Sequence, residues 1–118
     1  MRILAVDADL ELAEACRRVF ATEHEVVEAR SGFVALDLLA IARPFDVILC
    51  ELELPDMPGK EVHRRLLESS PRSASKFVFV TDDPNLHKTF LASVPNPHID
   101  KPLVPSTLRQ VVRDAGMR

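Results

Sequence analysis

Runs with strand character alternate five times with stretches of helical periodicity, and this alternation constrains the fold more than any other feature of the sequence. The runs lie at 3–6, 26–27, 47–50, 77–80 and 98–100. The first, third and fourth runs are apolar throughout, as expected of strands that are covered on both faces. After each run, apolar residues recur three and four positions apart, as they do for Leu12, Cys16 and Phe20. The order predicts an α/β fold in which five helices cover both faces of a parallel sheet.

The two remaining runs are expected at the edges of this sheet. Residues 25–28 read Glu-Val-Val-Glu and are polar at both ends, which suits an edge strand. Residues 98–100 lie among Pro95, Pro97 and Pro102, and proline is tolerated at a sheet edge but not at its centre. Two edge strands and a continuously apolar first strand are compatible with a flavodoxin-like, doubly wound sheet of order 2-1-3-4-5.

Residues that favour helix ends flank the helical stretches. Ser31 is a suitable N-cap for the second helix, and Asp83 with Pro84 suits the start of the fourth. The fifth helix is expected between Pro105 and Gly116. These signals divide the chain into five β-α units.

Length and composition predict one soluble domain over residues 1–118. A formal net charge of −3 gives no electrostatic reason to expect nucleic acid or an acidic membrane as a partner. The apolar start of the chain meets Asp7 too early for a signal peptide or a membrane span, so a cytoplasmic protein is expected. Cys16 and Cys50 lie far apart inside apolar patterns, which favours buried thiols over a disulfide.

Four polar residues follow four of the predicted strands. They are Asp7, Glu51, Thr81 and Lys101. In an open parallel sheet the binding crevice lies beyond the carboxyl ends of the strands, so these side chains are expected to meet there. Polar strand ends also occur as a solvated rim without function. Four strand ends that together supply two carboxylates, a hydroxyl and an ammonium indicate a functional site more strongly than any one of these residues alone.

The chain resembles a response-regulator receiver domain of two-component signalling across its whole length. The resemblance rests on residues 3–7, on the segment 46–59 with its acid followed by L-P-x-M-x-G, on 78–81, and on Lys101-Pro102. It implies that the acid after the third strand accepts a phosphoryl group from a histidine kinase, and that two acids after the first strand help to hold Mg²⁺. It further implies that a Thr and a Lys contact the phosphoryl oxygens and that an aromatic residue acts as a switch.

Four positions depart from the family pattern. Glu51 stands at the phosphoacceptor position, where the family has Asp, and Ala8 replaces the second acid of a pocket formed here by Asp7, Ala8 and Asp9. Asp82 follows Thr81, where a small residue is usual, and His98 stands at the aromatic switch position. The segment between Thr81 and Lys101 also looks shortened, so the fourth helix and fifth strand are expected to be reshaped.

These departures oppose phosphorylation. Glu51 carries its carboxylate farther out by one carbon–carbon bond, about 1.5 Å, and a misplacement near 1 Å can cost about a hundredfold in rate. Loss of an oxygen ligand at Ala8 weakens Mg²⁺ binding, so no metal site or cofactor is predicted beyond weak Mg²⁺. Asp82 would repel an arriving phosphoryl group, by about 4 kcal/mol per charge pair at 4 Å and an effective dielectric near 20.

Alternative roles remain open for several of these residues. Glu51 is interpreted first as an internal ion-pair partner of Lys101, but it could mimic the phosphorylated state or accept phosphate slowly. Asp9 suits a cap of the first helix better than a metal ligand. Cys50 fits core packing better than a redox role. Thr81 and His98 could form a two-position switch, or His98 could be a simple edge residue.

The sequence thus predicts a non-enzymatic, variant receiver that acts by protein–protein contacts. Expected partners are a histidine kinase, an output domain or another regulator, with possible homodimerisation through the fourth helix, fifth strand and fifth helix. An output domain beyond Arg118 is possible. The alternative is a conventional Mg²⁺-dependent receiver with weakened activity. A nucleotide or flavin site is disfavoured, because the three glycines form no phosphate loop and the chain has no Tyr or Trp.

Overall fold

The five strands form one parallel sheet in the order β2-β1-β3-β4-β5 in the computed structural model, which describes residues 1–20 and 22–118. The strands are β1 (Arg2–Val6), β2 (Glu25–Ala29), β3 (Val47–Glu51), β4 (Phe77–Thr81) and β5 (His98–Asp100). The helices are α1 (Glu11–Phe20), α2 (Gly32–Ile41), α3 (Gly59–Ser69), α4 (Pro71–Ala74), α5 (Lys88–Ser93) and α6 (Pro105–Gly116). The predicted strand order and both predicted edge strands are confirmed.

Alternate residues of the central strands pack into two separate hydrophobic cores, one on each face of the sheet, as a sheet covered on both faces requires. Along β1, Ile3 and Ala5 pack with α1 and α6, whereas Leu4 and Val6 pack with α2 and α3. All five residues of β3 are buried, and so are all five of β4. These two strands therefore hold their carboxyl ends, and the side chains beyond them, in fixed positions.

The helices differ from the sequence prediction in two details. Six helices occur in the described part of the chain instead of five, because the one-turn α4 follows α3 directly. The helix before β5 begins at Lys88, so the start predicted at Asp83-Pro84 is wrong. There the Asp83 carboxylate accepts a hydrogen bond from the Leu86 N–H at 3.1 Å and closes a turn. Asp, Asn and Ser side chains accept the same kind of main-chain hydrogen bond in turns and at helix starts. The sequence signal at Asp83 therefore does not distinguish a turn from a helix start.

Other local predictions hold. The Ser31 hydroxyl accepts a hydrogen bond from the Val34 N–H at 3.2 Å and caps α2. Cys16 and Cys50 are both buried free thiols, and burial is the main cause that raises the pKa of the Cys16 thiol to about 12. None of the helices among residues 1–20 and 22–118 is long and apolar enough to cross a membrane.

His63 is a buried polar side chain that the sequence analysis did not identify. His63 of α3 is 3% exposed and packs edge-on against the rings of Phe77 and Phe79, each with a centroid distance of 5.2 Å. Burial lowers its pKa, although Asn96 lies close enough to oppose that shift. His63 therefore behaves as a neutral, aromatic part of the core.

Candidate functional site at the carboxyl ends of the strands

The four side chains predicted to share one end of the sheet lie there. Asp7 follows β1 directly, Glu51 ends β3, Thr81 ends β4 and Lys101 follows β5. A main-chain hydrogen bond joins the ends of β4 and β5, since the Lys101 N–H donates to the Thr81 carbonyl at 2.8 Å. Parallel pairing brings the carboxyl ends of all four strands to the same edge, which is why the exits converge.

A nearly buried triad of charges occupies the centre of this site. The Lys101 Nζ lies 2.8 Å from Glu51 Oε2 and 3.1 Å from Asp7 Oδ2. The exposed fractions of the three side chains are 11% for Lys101, 8% for Glu51 and 5% for Asp7. The contact with Glu51 is at ion-pair distance, but Oε2 has no well-aligned hydrogen-bond donor within the described residues. Glu11 approaches the same ammonium from the surface, at 3.7 Å.

Burial and charge act in opposite directions on this triad. Burial is the main cause that raises the pKa of the Glu51 carboxyl, Lys101 opposes that rise, and Asp7 and Asp82 add to it. Burial alone would lower the pKa of the Lys101 ammonium, but Glu51 and Asp7 more than offset it, so that pKa is raised. Lys101 therefore stays charged and supplies the positive charge that two crowded carboxylates need.

The side chains of Thr81 and His98 make no hydrogen bond or ion pair with the triad side chains in the described part of the chain. The buried Thr81 hydroxyl accepts a hydrogen bond from the Asp83 N–H at 3.0 Å, within its own loop. His98 lies on the outer edge of β5 and is exposed, with Nε2 at 3.4 Å from Asp100 Oδ1. Asp82 is exposed at the rim. The site residues predicted from the sequence therefore divide into a buried centre and a solvated rim.

Ala8 and Asp9 lie at the exposed edge of the site. Helix α1 begins at Glu11, and Asp9 donates its main-chain N–H to Asp7 Oδ1 at 3.1 Å. Its side chain makes no helix-capping hydrogen bond in the part of the chain that is described, contrary to the capping role favoured by the sequence. The main-chain contact instead orients the Asp7 carboxylate toward Lys101.

A close approach of main chains fixes the end of β3. The Gly59 N–H donates to the Leu52 carbonyl at 2.8 Å, and a Cβ at Gly59 would overlap the Glu51 carbonyl oxygen. Only glycine lets the start of α3 pack this tightly against the strand end. The L-P-x-M-x-G spacing thus has a structural cause, since it positions the residue at 51.

Asp56 is a structural residue of this loop that the sequence analysis missed. Its Oδ1 accepts a hydrogen bond from the Gly32 N–H at 2.9 Å and its Oδ2 accepts one from the Phe33 N–H at 2.8 Å. It thereby caps α2 from a loop more than twenty residues away. Burial opposes the shift, but these main-chain donors lower the pKa of the Asp56 carboxyl. No local spacing reveals a cap that comes from another loop.

We expect Asp56→Ala to destabilise the domain by about 1 kcal/mol, the usual cost of losing a helix cap. Chemical denaturation at neutral pH measures the loss. Asp56→Asn is the matched control, because its single side-chain oxygen can keep one of the two bonds and should lose less. Equal stability of all three proteins would contradict a capping role.

Comparison with known proteins places this geometry in a family. The model of the response regulator receiver domain matches residues 3–113. A protein-glutamate methylesterase/protein-glutamine glutaminase 1 from Pseudomonas fluorescens is 41% identical over 93 residues, which are 75% of this chain and 27% of that protein. A response regulator MprA from a Mycobacterium species is 40% identical over 67 residues, or 56% of this chain and 29% of that protein. The chain thus spans under a third of the length of these relatives.

Solved structures agree on the fold. A putative response regulator from Chloroflexus aurantiacus superposes with a TM-score of 0.85 at 24% identity, over 99% of this chain and 98% of that one. The chemotaxis protein CheY4 of Vibrio cholerae gives a TM-score of 0.81 at 25% identity, over 97% of each chain. With the family model matching nearly the whole chain, this protein belongs to the response regulator receiver domain family.

Proposed function

We propose that this receiver domain is not phosphorylated and acts in two-component or phosphorelay signalling through protein–protein contacts. The observation that carries the proposal is the 2.8 Å separation of Lys101 Nζ and Glu51 Oε2. In the family pattern, the acid at position 51 attacks phosphorus and the lysine neutralises the phosphoryl group. Here the two are bound to each other inside the protein, so neither is available for that chemistry.

The residues that would hold Mg²⁺ do not fit the ion. The Lys101 ammonium lies 3.1 Å from Asp7 and 2.8 Å from Glu51, and so neutralises both carboxylates that a cation would need. Ala8 offers a methyl group where the family has a carboxylate ligand. Among residues 1–20 and 22–118, no group of three or more His, Cys, Asp and Glu side chains is placed to hold a metal. Mg²⁺ prefers several oxygens in near-octahedral geometry.

We expect Mg²⁺ to show no specific binding at this site below millimolar concentration. Titration of the labelled protein with Mg²⁺, followed by amide NMR shifts at Asp7 and Glu51, measures this directly. Ala8→Asp in a Glu51→Asp background is the comparison protein, since it returns the missing ligand and shortens the acid, and it should bind more tightly. Saturation of the wild-type shifts at micromolar Mg²⁺ would refute the proposal.

Of the roles considered for Glu51, an internal ion-pair partner fits the geometry better than a mimic of the phosphorylated state. A mimic would be expected to engage the Thr81 hydroxyl, which instead accepts from Asp83 at 3.0 Å. It would also be expected to draw the switch side chain inward, whereas His98 is exposed and lies beside Asp100. We therefore assign the pair a structural role that holds the site in one arrangement.

The partner would be a histidine kinase, an output domain or another regulator in the cytoplasm, and no nucleic acid is expected on this domain. The proposed docking and homodimer surface is the face of α5, β5 and α6. These elements correspond to the fourth helix, fifth strand and fifth helix expected from the sequence. The methylesterase relatives are far longer than this chain, and any enzymatic activity in a larger protein would lie outside the receiver. The domain itself is proposed to be non-enzymatic.

The alternative function is a conventional Mg²⁺-dependent receiver with weakened activity. It requires Glu51 to leave Lys101 and to accept a phosphoryl group beside Asp82. Labelling with acetyl phosphate separates the two functions, because the proposed one predicts no incorporation into the wild-type chain.

A further inference from the structure

Helix α2 presents an apolar face to solvent, which a helix on the surface of a soluble domain does not ordinarily do. Its inner side is formed by Gly32 and Ala35, which are buried. Its outer side carries Phe33, which is 56% exposed, and Ile41, which is 82% exposed. Asp37 is the only charged residue of the ten in the helix. An exposed apolar helix face of this kind commonly marks a site of interaction.

Asp37 lies at the centre of this outer face. Residues three and four positions away are its neighbours on the helix surface, and these are Phe33, Val34, Ala40 and Ile41. All four neighbours are apolar, and all five residues are exposed. Asp37 makes no hydrogen bond or ion pair with any residue between 1 and 20 or 22 and 118. We call these five residues the outer α2 face.

Arg65 of α3 borders the outer α2 face, but it is paired with another acid. Arg65 lies over the Phe33 ring at 5.9 Å, but its guanidinium is 3.2 Å from Glu61. The outer α2 face therefore consists of four apolar residues around one uncompensated carboxylate. Docking an apolar partner over it would bury that carboxylate, and a buried charge is costly unless it is paired.

We propose that the outer α2 face binds an amphipathic helix of a partner protein that carries a Lys or Arg at the centre of its apolar stripe. The partner's apolar residues would cover Phe33 and Ile41, and its cation would pair with Asp37. This charge complementarity is specific, because a neutral or acidic helix would leave Asp37 desolvated without a counter-ion.

A second copy of this chain fits the same face poorly. A symmetric, antiparallel pair of α2 helices would place Phe33 against the other copy's Ile41, which is favourable. The same two-fold axis would place Asp37 against the other copy's Asp37, and two carboxylates at close range repel. Asp37 thus disfavours self-association of an apolar surface that would otherwise be prone to it.

Two synthetic helical peptides of about 18 residues test the proposal, since peptides of that length can form helices in water. They share one apolar stripe and differ only in its central residue, which is Lys in one and Glu in the other. Titrated into the ¹⁵N-labelled chain, the Lys peptide should shift the amide signals of the outer α2 face. It should bind about tenfold more tightly than the Glu peptide, because attraction replaces repulsion.

Variants of exposed residues complete the test. Asp37→Lys should reverse the preference between the two peptides, and Ile41→Glu should abolish binding of both. Circular dichroism should show unchanged folding of each variant. Equal affinity for the two peptides, shifts confined to another surface, or absence of binding would each overturn the proposal.

Sedimentation equilibrium distinguishes a partner from a second copy. The wild-type chain should not associate through the outer α2 face, so Ile41→Glu should leave its mass unchanged, and Asp37→Ala should self-associate more strongly than the wild type. Dimerisation of the wild type that Ile41→Glu abolishes would identify the occupant as a second copy and overturn the proposal. This face is separate from the triad of Asp7, Glu51 and Lys101, so failure here leaves the proposed lack of phosphorylation untouched.

Discussion

Glu51→Asp alone should leave the chain as poorly labelled by acetyl phosphate as the wild type. Glu51→Asp combined with Ala8→Asp and Asp82→Ala should raise labelling by on the order of a hundredfold or more. We propose that three separate defects oppose phosphorylation, in the reach of the acid, the metal ligand and the charge of the pocket. A substitution that corrects one defect leaves the other two in place, so only the triple variant is expected to restore phosphorylation.

Each proposed defect has a physical argument behind it. The Glu51 carboxylate reaches the Lys101 ammonium at 2.8 Å, and a shorter Asp would withdraw from that contact. Ala8 supplies no oxygen to a metal, and phosphoryl transfer depends on metal and lysine to neutralise developing charge. Burial is the main cause that raises the pKa of the Glu51 carboxyl, and Asp82 adds to that rise although its side chain is exposed.

Incorporation of labelled phosphate with and without Mg²⁺ measures the outcome. The double variant Ala8→Asp with Asp82→Ala retains Glu51 and serves as the control, and it should stay unlabelled. Labelling of the Glu51→Asp single variant at the level of the triple variant would show that the metal and charge arguments are wrong. Labelling of the wild type would favour the alternative of a weakened conventional receiver.

The sheet and the centre of the site could be predicted from the sequence because both follow from local pattern. Continuous apolar runs identify the inner strands, and the residue after each run lies at the carboxyl edge by the rules of parallel sheets. For this reason the sequence places Asp7, Glu51 and Lys101 together and predicts the ion pair of Lys101 with Glu51.

Contacts between distant loops could not be predicted in the same way. Asp56 caps α2 across 24 residues, and no spacing in the sequence reveals it. The start of α5 was misplaced because the carboxylate of Asp83 closes a turn by the contact that would also cap a helix. The outer α2 face could not be predicted either, because α2 is apolar on both sides and has no polar stripe to mark its outer face.

Lys101→Met should destabilise the domain by about 3–5 kcal/mol at neutral pH, the usual cost of breaking a buried ion pair from one side. The estimate for a buried pair applies because 11% of the Lys101 side chain is exposed, with 8% of Glu51 and 5% of Asp7. Met keeps most of the length and apolar volume of Lys. The loss therefore reports mainly on two carboxylates left as uncompensated neighbours.

The sign of the pH dependence follows from linkage. Burial already raises the pKa of the Glu51 carboxyl with Lys101 present, and removing the ammonium that opposes this shift should raise it further. A carboxyl whose pKa is higher in the folded than in the unfolded state binds protons more tightly when folded. The stability of Lys101→Met should therefore be lowest at neutral pH and should recover, relative to the wild type, as pH falls toward about 5.

Chemical denaturation of the wild type and Lys101→Met at pH 7 and pH 5 measures both effects, and Glu51→Gln isolates their source. The double variant Lys101→Met with Glu51→Gln retains only Asp7 as a buried charge. It should be more stable than Lys101→Met at pH 7 and should show a smaller recovery at pH 5, since the Glu51 carboxyl is gone. If Lys101→Met matched the wild type at both pH values, the triad would be a solvated contact of little energetic weight. Glu51 would then be free to leave Lys101, and the case for an occupied, non-phosphorylated site would lose its physical basis.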